Sequence, residues 1–232
     1  MQKHIKMEEA RASIVRLLTS KAAVKQDIAD YSESVLDRFK KVLNEEIEAL
    51  CTEVTDDRVR IRMEEFGSHE FRLYIGSDVL VFQLHGNVFR LPEENPMWKS
   101  GYLSDNETNG YFGIINIYNF LAESFEQNRM NDPGYLIGRI FMNHEKHFMV
   151  EGEGQLGFLY RDIENDVLND DIIRRILLVS MAYAIEFDLL TPPFELIQEV
   201  SVMQINAISS DLQVATGKRL GFKFGAEGAE VF

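Results

Sequence analysis

The sequence is poor in the residue types that mark several large protein classes. Only one of its 232 residues is a cysteine, Cys51, so the chain alone can form no disulfide and no site with several cysteine ligands. Five prolines and 15 glycines are too few for a fibrous or linker-rich chain. The longest apolar run, Ile176 to Ile185, is about half the roughly 20 residues of a membrane span. We therefore expect a soluble protein of a reducing compartment, the cytoplasm, with no membrane insertion.

Basic residues are also scarce. The chain has 24 Lys and Arg against 38 Asp and Glu, which gives a formal net charge of −14. Such a charge repels a polyphosphate backbone, so we expect no nucleic-acid partner. Hydrophobic residues make up 45% of the chain, which is enough for a sizeable core. Acidity in a well-folded chain of this size also serves solubility alone.

The first part of the chain changes from helical to strand periodicity. Apolar residues recur at helical spacing over residues 7–18 and again over about 22–52, which predicts two amphipathic helices. After Asp56 the period becomes two, and Val59 begins the first of four short apolar runs that end near residue 91. Gly-containing turns separate these runs, so the pattern predicts an antiparallel meander of four strands.

A long loop and a second β section follow. Pro, Asn, Asp and Ser predict a surface loop over 92–110, and an apolar run then predicts a buried strand that passes into a helix near Ala122. Asn169, followed by two acids, is typical of a helix N-terminus and begins an apolar helix that ends near residue 190. The remaining expected strands are residues 137–142, 148–150 and 156–160, and a closing strand with Leu220, Phe222 and Phe224.

These elements predict an α+β protein. It has N-terminal amphipathic helices, two antiparallel β sections and one central buried helix, with a helical segment at 1–55 and an α+β body at 56–232 that together form one compact domain. The order of helix and meander, with the acidic charge, is similar in layout to small dimeric secretion chaperones, although no motif is shared. The long apolar stripe of residues 22–52 predicts a homodimer that uses this helix.

The first candidate site is a group of arginines. Arg58, Arg60 and Arg62 alternate with apolar residues on the first strand, and the neighbouring strands carry Arg72 and Arg90. Guanidinium groups that converge on one sheet face could bind an anion or a phosphate. The alternative is ordinary ion pairing with Glu64, Glu70 and other acids, because residues 56–91 hold nearly equal numbers of arginines and acids.

Trp98 is the second candidate. It is the only tryptophan and lies in the long loop beside Met97 and Tyr102, where an aromatic side chain could cap a ligand pocket or contact a partner. The alternative is that the indole attaches the loop to the core.

Two polar clusters have the residue types of metal sites but not the spacing. His144 and His147 stand three residues apart in a turn, whereas a zinc-binding helix places its histidines four apart. Asp162, Glu164 and Asp166 begin like a calcium loop, but the glycine and the last glutamate of that motif are missing. We therefore expect no metal and no cofactor.

No phosphate-binding loop, dinucleotide fingerprint or nucleophile elbow occurs in the sequence. The function expected is therefore that of a non-enzymatic interaction or ligand-binding protein, with a chaperone or an adaptor as candidate types, whose partner is a second copy of itself or another protein. The alternative is a metal- or phosphate-dependent hydrolase that uses acids of residues 145–166 or the arginine face.

Overall fold

A computed structural model describes residues 7–188, 193, 194 and 202 and shows a mixed α+β fold. The chain begins with one continuous helical run rather than two separate helices. Helix α1 (Met7–Leu17) passes through a π-helical turn (Leu18–Ala22) into helix α2 (Ala23–Glu53). In the π-helical turn, the Thr19 and Ser20 hydroxyls donate to the carbonyl oxygens of Val15 and Arg16, at 2.9 and 2.7 Å. Such side-chain bonds compete with the regular helical pattern, so the predicted interruption is a local irregularity.

Seven strands form one antiparallel sheet. They are β1 (Ile61–Phe66), β2 (Glu70–Ile75), β3 (Asp78–Leu84), β4 (Phe89–Arg90), β5 (Tyr111–Leu121), β6 (Tyr135–Met142) and β7 (Phe148–Gly152). The strand order is β1-β2-β3-β5-β6-β7, and the short β4 pairs with one end of β5. Gly67 and Gly76 make the two tight turns of the first meander at φ values of 66° and 56°, which glycine adopts without steric cost.

One face of the sheet is covered by α2 and by helix α6 (Asp170–Glu186). Asn169 caps α6 as predicted, because its side chain accepts a hydrogen bond from the Ile172 amide at 3.0 Å. Fully buried residues such as Phe39 of α2 and Ile176 of α6 pack in one core with the sheet. The outer side of α6 is exposed at Leu178 and Ile185. The apolar stripe of residues 22–52, which suggested a dimer, is thus covered mainly by the protein's own sheet and α6.

The opposite sheet face is covered only at its two ends. At one end the loop 91–110 packs through Leu91 and Leu103 on Phe112, Ile114 and Phe141. This loop contains 3-10 turns (Pro96–Lys99 and Glu107–Gly110) and the short helix α3 (Gly101–Asp105). At the other end helix α4 (Ala122–Glu126) packs on a second apolar cluster, formed by Tyr74, Val79, Val81, Tyr118 and Phe120. The middle of this face stays open.

Two details of the predicted first meander are wrong. The first strand begins at Ile61, and Val59 is 44% exposed, because Asp56 bonds the Arg58 amide and holds the chain in a turn. The fourth run contributes only Phe89 and Arg90, and it does not continue the meander. Strand β3 already pairs along its second edge with β5, so no edge is left for the fourth run.

The segment 156–160, predicted as a strand, is helical instead. It forms helix α5 (Leu156–Leu159). Gly154 turns the chain out of β7 at a φ of 52°. The backbone at Gly157 lies close to Gly152, because a Cβ on Gly157 would be 2.2 Å from the Gly152 carbonyl oxygen. The predicted closing strand at 220–224 lies outside the described residues. None of the helices in the described part of the chain has a stretch apolar and long enough to span a bilayer.

Candidate ligand-binding groove

A groove of about 550 Å³ lies on the open sheet face between the two covered ends. This volume is within the range of roughly 300–1,000 Å³ that is typical of ligand sites. One wall comes from the segment around β4 and the loop, and consists of His85, Phe89, Arg90, Leu91, Pro92 and Asn95. The floor and far side come from β5, β6 and β7, and consist of Phe112, Ile114, Asn116, Tyr118, Leu136, Arg139, Phe141 and Glu151.

The floor is crossed by a row of polar residues that face one another on adjacent strands. In the strand register, Asn116 opposes Arg139, and Arg139 opposes Glu151. Residues on either side of this row are apolar, since Ile114 pairs with Phe141 in the register and Tyr118 pairs with Leu136. The groove therefore offers hydrogen-bonding groups along its middle and apolar surface on both sides.

Asn116 is the most buried polar residue of the groove. It is 8% exposed, and no hydrogen bond joins its side chain to another residue in the described part of the chain. Its amide carries a carbonyl acceptor and two N–H donors. The groove opens onto this amide, so it is not one of the fully enclosed polar groups without a partner, and in the free protein it can be hydrated. Its position in the groove floor marks the place where a ligand would be hydrogen-bonded.

The charged groups that line the groove neutralise one another. Arg139 contacts Glu151 at 2.5 Å, and its guanidinium also lies 5.4 Å from the centre of the Phe141 ring. Arg90 contacts Glu93 at 3.1 Å and Glu107 at 3.6 Å. Both arginines of the lining thus have carboxylate partners, so the groove suits a ligand without net charge.

Trp98 supports the groove wall from behind and does not line the groove. Its indole nitrogen donates to the Pro92 carbonyl oxygen at 2.9 Å, and the Arg90 guanidinium lies 5.0 Å from the ring centre. A Cβ placed on Gly110 would lie 2.2 Å from the ring, which shows how closely the indole packs on this backbone. This geometry is that of the loop-attachment alternative.

A buried polar network fixes the same loop to the turn between β6 and β7. Asn143 is fully buried; its Oδ1 accepts from the amides of Glu145 and His147, both at 3.1 Å, and its Nδ2 donates to the Tyr102 hydroxyl at 2.9 Å and the Asn109 carbonyl oxygen at 3.4 Å. The Tyr102 hydroxyl donates to Glu145 Oε2 at 2.7 Å. Burial, followed by the bond to Glu145, raises the pKa of Tyr102 above its ordinary value.

His144 and His147, whose spacing argued against a metal site, belong to this network and have separate partners. His144 Nε2 bonds Asn109 Oδ1 at 2.9 Å, whereas His147 Nδ1 bonds the Ile163 carbonyl oxygen at 2.8 Å and its ring stacks on Tyr102. In the acidic segment that follows, Asp162 Oδ1 accepts from the Glu164 amide at 3.1 Å. Among the described residues, no group of three His, Cys, Asp or Glu side chains is arranged to hold a metal ion.

The five candidate arginines do not converge on one site. Arg60 and Arg62 both reach Glu126 of α4, at 2.6 and 3.9 Å, and Arg62 also contacts Glu64 at 3.0 Å. Arg58 contacts Asp56 at 2.6 Å in the turn before β1. Arg72 contacts Glu70 at 2.7 Å. Arg90 in the groove wall is paired as well, so each of the five guanidinium groups has a carboxylate partner. This is the arrangement of the ion-pair alternative.

Sequence reasoning missed Asn116 and with it the groove. The run YFGIINIYNFL was interpreted as a buried strand, which β5 confirms. A polar residue in the middle of such a run was the available signal, because a buried strand that serves packing alone has no use for an amide. The open face itself left no signal, since it results from how far the loop and α4 extend over the sheet.

Fold and site together define an α+β protein with one sheet face covered by helices and the other partly open. Comparison with known proteins found no family model that matches the chain and no curated protein or solved structure with significant similarity to it. Function is therefore inferred from the geometry of the groove.

Proposed function

We propose that this protein is a non-enzymatic binding protein whose groove on the open sheet face takes up an uncharged ligand. The observation that carries this proposal is Asn116, which is 8% exposed in the floor of a groove of about 550 Å³ and whose amide forms no hydrogen bond with another of the described residues. Apolar residues beside it supply contact area, and the paired charges around it disfavour an anion. We place the protein in the cytoplasm, since a single cysteine suits a reducing compartment.

The alternative function was a metal- or phosphate-dependent hydrolase. Within the described residues Glu145 belongs to the loop network, Asp162 to a turn, and Glu151 is paired with Arg139. The candidate arginines have carboxylate partners. No observation on these residues favours that alternative over binding. Anion binding by the arginine face stays a prediction, which calorimetry with phosphate can test.

The test of the binding proposal is an NMR screen of a library of uncharged fragments against the isotope-labelled protein. We expect shift changes that cluster at amides of β5, β6 and β7 around the groove. Leu136→Trp should abolish them, because Leu136 lines the groove and is 42% exposed, so the larger ring can fill the groove without entering the core. Val59→Trp is the matched control, since Val59 is 44% exposed and lies in the turn before β1. Shifts that cluster elsewhere, or that survive Leu136→Trp, would contradict the proposal.

Self-association is the second part of the proposal. Because the sheet and α6 cover most of the apolar stripe of α2, we propose that two copies associate through α1 instead. Helix α1 has no buried residue, and its Ile14 and Leu17 are 57% and 51% exposed. Glu8 and Glu9 stand at its first turn, whereas Arg16 lies in its last turn. Two copies that pair α1 in antiparallel fashion would cover their apolar residues and bring these opposite charges together.

A further inference from the structure

The chemistry of the groove floor narrows the class of ligand. Asn116 presents both an acceptor and donors, so it is satisfied best by a group that offers both in return. A secondary amide does so through its N–H and C=O, whereas a carboxylate or phosphate offers acceptors only. A net charge of −14 and the two paired arginines of the lining also disfavour an anion.

The spacing along β5 fits an extended chain. Four alternate residues of this strand line the groove, from Phe112 to Tyr118, a distance of about 20 Å at about 3.3 Å per residue. Ile114 and Tyr118 flank Asn116 on the same face at a spacing of about 7 Å. An extended peptide that runs along β5 has the same side-chain spacing, so one of its amides can meet Asn116 while its neighbouring side chains contact the apolar residues.

We infer that the groove binds an extended, uncharged peptide segment of another protein, with a main-chain amide hydrogen-bonded to Asn116 and apolar side chains against Ile114 and Phe141. This inference rests on the proposed binding function and adds the class of ligand to it. Asn116 is then the residue that recognises the peptide backbone, and the apolar residues beside it select the side chains. Segments rich in acidic residues are excluded by the charge of the protein.

The experiment uses a set of fluorescein-labelled heptapeptides with glycine flanks. Their three central residues are varied among alanine, leucine, phenylalanine, serine, lysine and glutamate, and binding is measured by fluorescence polarisation with the whole protein. We expect peptides with leucine or phenylalanine at the centre to bind, and those with glutamate not to bind. Asn116→Leu should weaken binding about tenfold, because it removes a hydrogen-bonding partner from a nearly buried site. Gln83→Leu is the matched control, since Gln83 opposes Asn116 on β3 but is exposed and does not line the groove; its affinity should be unchanged.

A backbone variant of the tightest peptide tests the amide contact itself. Replacing the central amide with an ester removes its N–H and should weaken binding to the wild-type protein about tenfold. The Asn116→Leu variant has already lost this contact, so its affinity should be nearly the same for the ester and for the amide peptide. Absence of peptide binding, or binding that is indifferent to both Asn116→Leu and the ester, would overturn the inference. If peptides fail while uncharged fragments still shift the groove resonances, the inference is wrong and the binding function stands. If the fragments fail as well, both are wrong.

Discussion

Replacing Asn116 with leucine should make the free protein more stable. Leucine has nearly the same shape as asparagine, so the substitution exchanges a polar amide for an apolar group without a cavity and with little change in volume. The residue is 8% exposed, and its amide has no hydrogen-bond partner in the described part of the chain. The amide is therefore partly desolvated in the folded state, whereas the unfolded chain exposes it fully to water.

The size of the effect follows from the burial. A buried amide without a partner costs about 1–3 kcal/mol. Because the Asn116 side chain faces the groove, where water can reach part of it, we expect the lower end, about 1 kcal/mol. Leucine is also better suited than asparagine to a strand with apolar neighbours on the same face. For a chain of this length, about 1 kcal/mol raises the melting temperature by about 2–4 °C.

Urea unfolding followed by circular dichroism can measure this gain. The transition midpoint should rise while the slope of the free energy of unfolding against urea stays the same, because the surface exposed on unfolding hardly changes. Gln83→Leu, on the neighbouring strand but exposed, should leave the midpoint within about 0.5 kcal/mol of the wild type. A lower midpoint for Asn116→Leu would show that the amide already has partners in the free protein. The argument for a ligand at this position would then be wrong.

Four further outcomes are expected. Asn143→Ala should lower the free energy of unfolding by roughly 3 kcal/mol, as judged by urea unfolding, because it removes four hydrogen bonds of a fully buried side chain. Burial raises the pKa of Tyr102, so its protonated hydroxyl contributes fully to stability below the unfolded pKa of about 10, and this contribution is lost as the pH rises beyond that value. Tyr102→Phe should therefore show a shallower decline in melting temperature at alkaline pH than the wild type. Calorimetry should detect no phosphate binding to the wild type, since each candidate arginine has a carboxylate partner. Phosphate binding that the Arg60→Ala substitution abolishes would instead support an anion site at the arginine face. Light scattering should report a dimer that Ile14→Glu converts to a monomer of unchanged melting temperature, because Ile14 is 57% exposed; a monomeric wild type would exclude self-association.

The sequence predicts best those elements that are specified by local chemistry. The cap at Asn169, the glycine turns of the first meander and the passage from strand to helix at Ala122 all depend on residues within a few positions of one another. Each of these predictions is confirmed. The strands β2 and β3 are confirmed as well, although β3 is buried on both faces because α4 and its neighbours cover Val79 and Val81.

The errors arise where distant parts of the chain decide the outcome. The segment 156–160 has the apolar composition of a strand but is helical at Leu156–Leu159, and its Leu156 and Tyr160 are buried in the core that the sheet, α2 and α6 form. Residues 88–91 look like a fourth strand of the meander, but β5, which follows more than 20 positions later, already occupies the edge of β3. The groove has the same origin, because it depends on where the loop 91–110 and α4 stop on the open face.

Wall and floor of the groove are held by one set of contacts, so the groove exists before any ligand arrives. In the loop that forms the wall, Trp98 bonds Pro92 and packs on the cluster that contains Phe112, and Tyr102 attaches the loop to the turn between β6 and β7. The strands that leave this turn carry Arg139 and Glu151 in the groove floor. Because the same turn fixes both sides, the distance between wall and floor does not depend on a mobile hinge. A ligand that enters such a site loses little binding free energy to ordering the protein, which favours recognition of a flexible peptide.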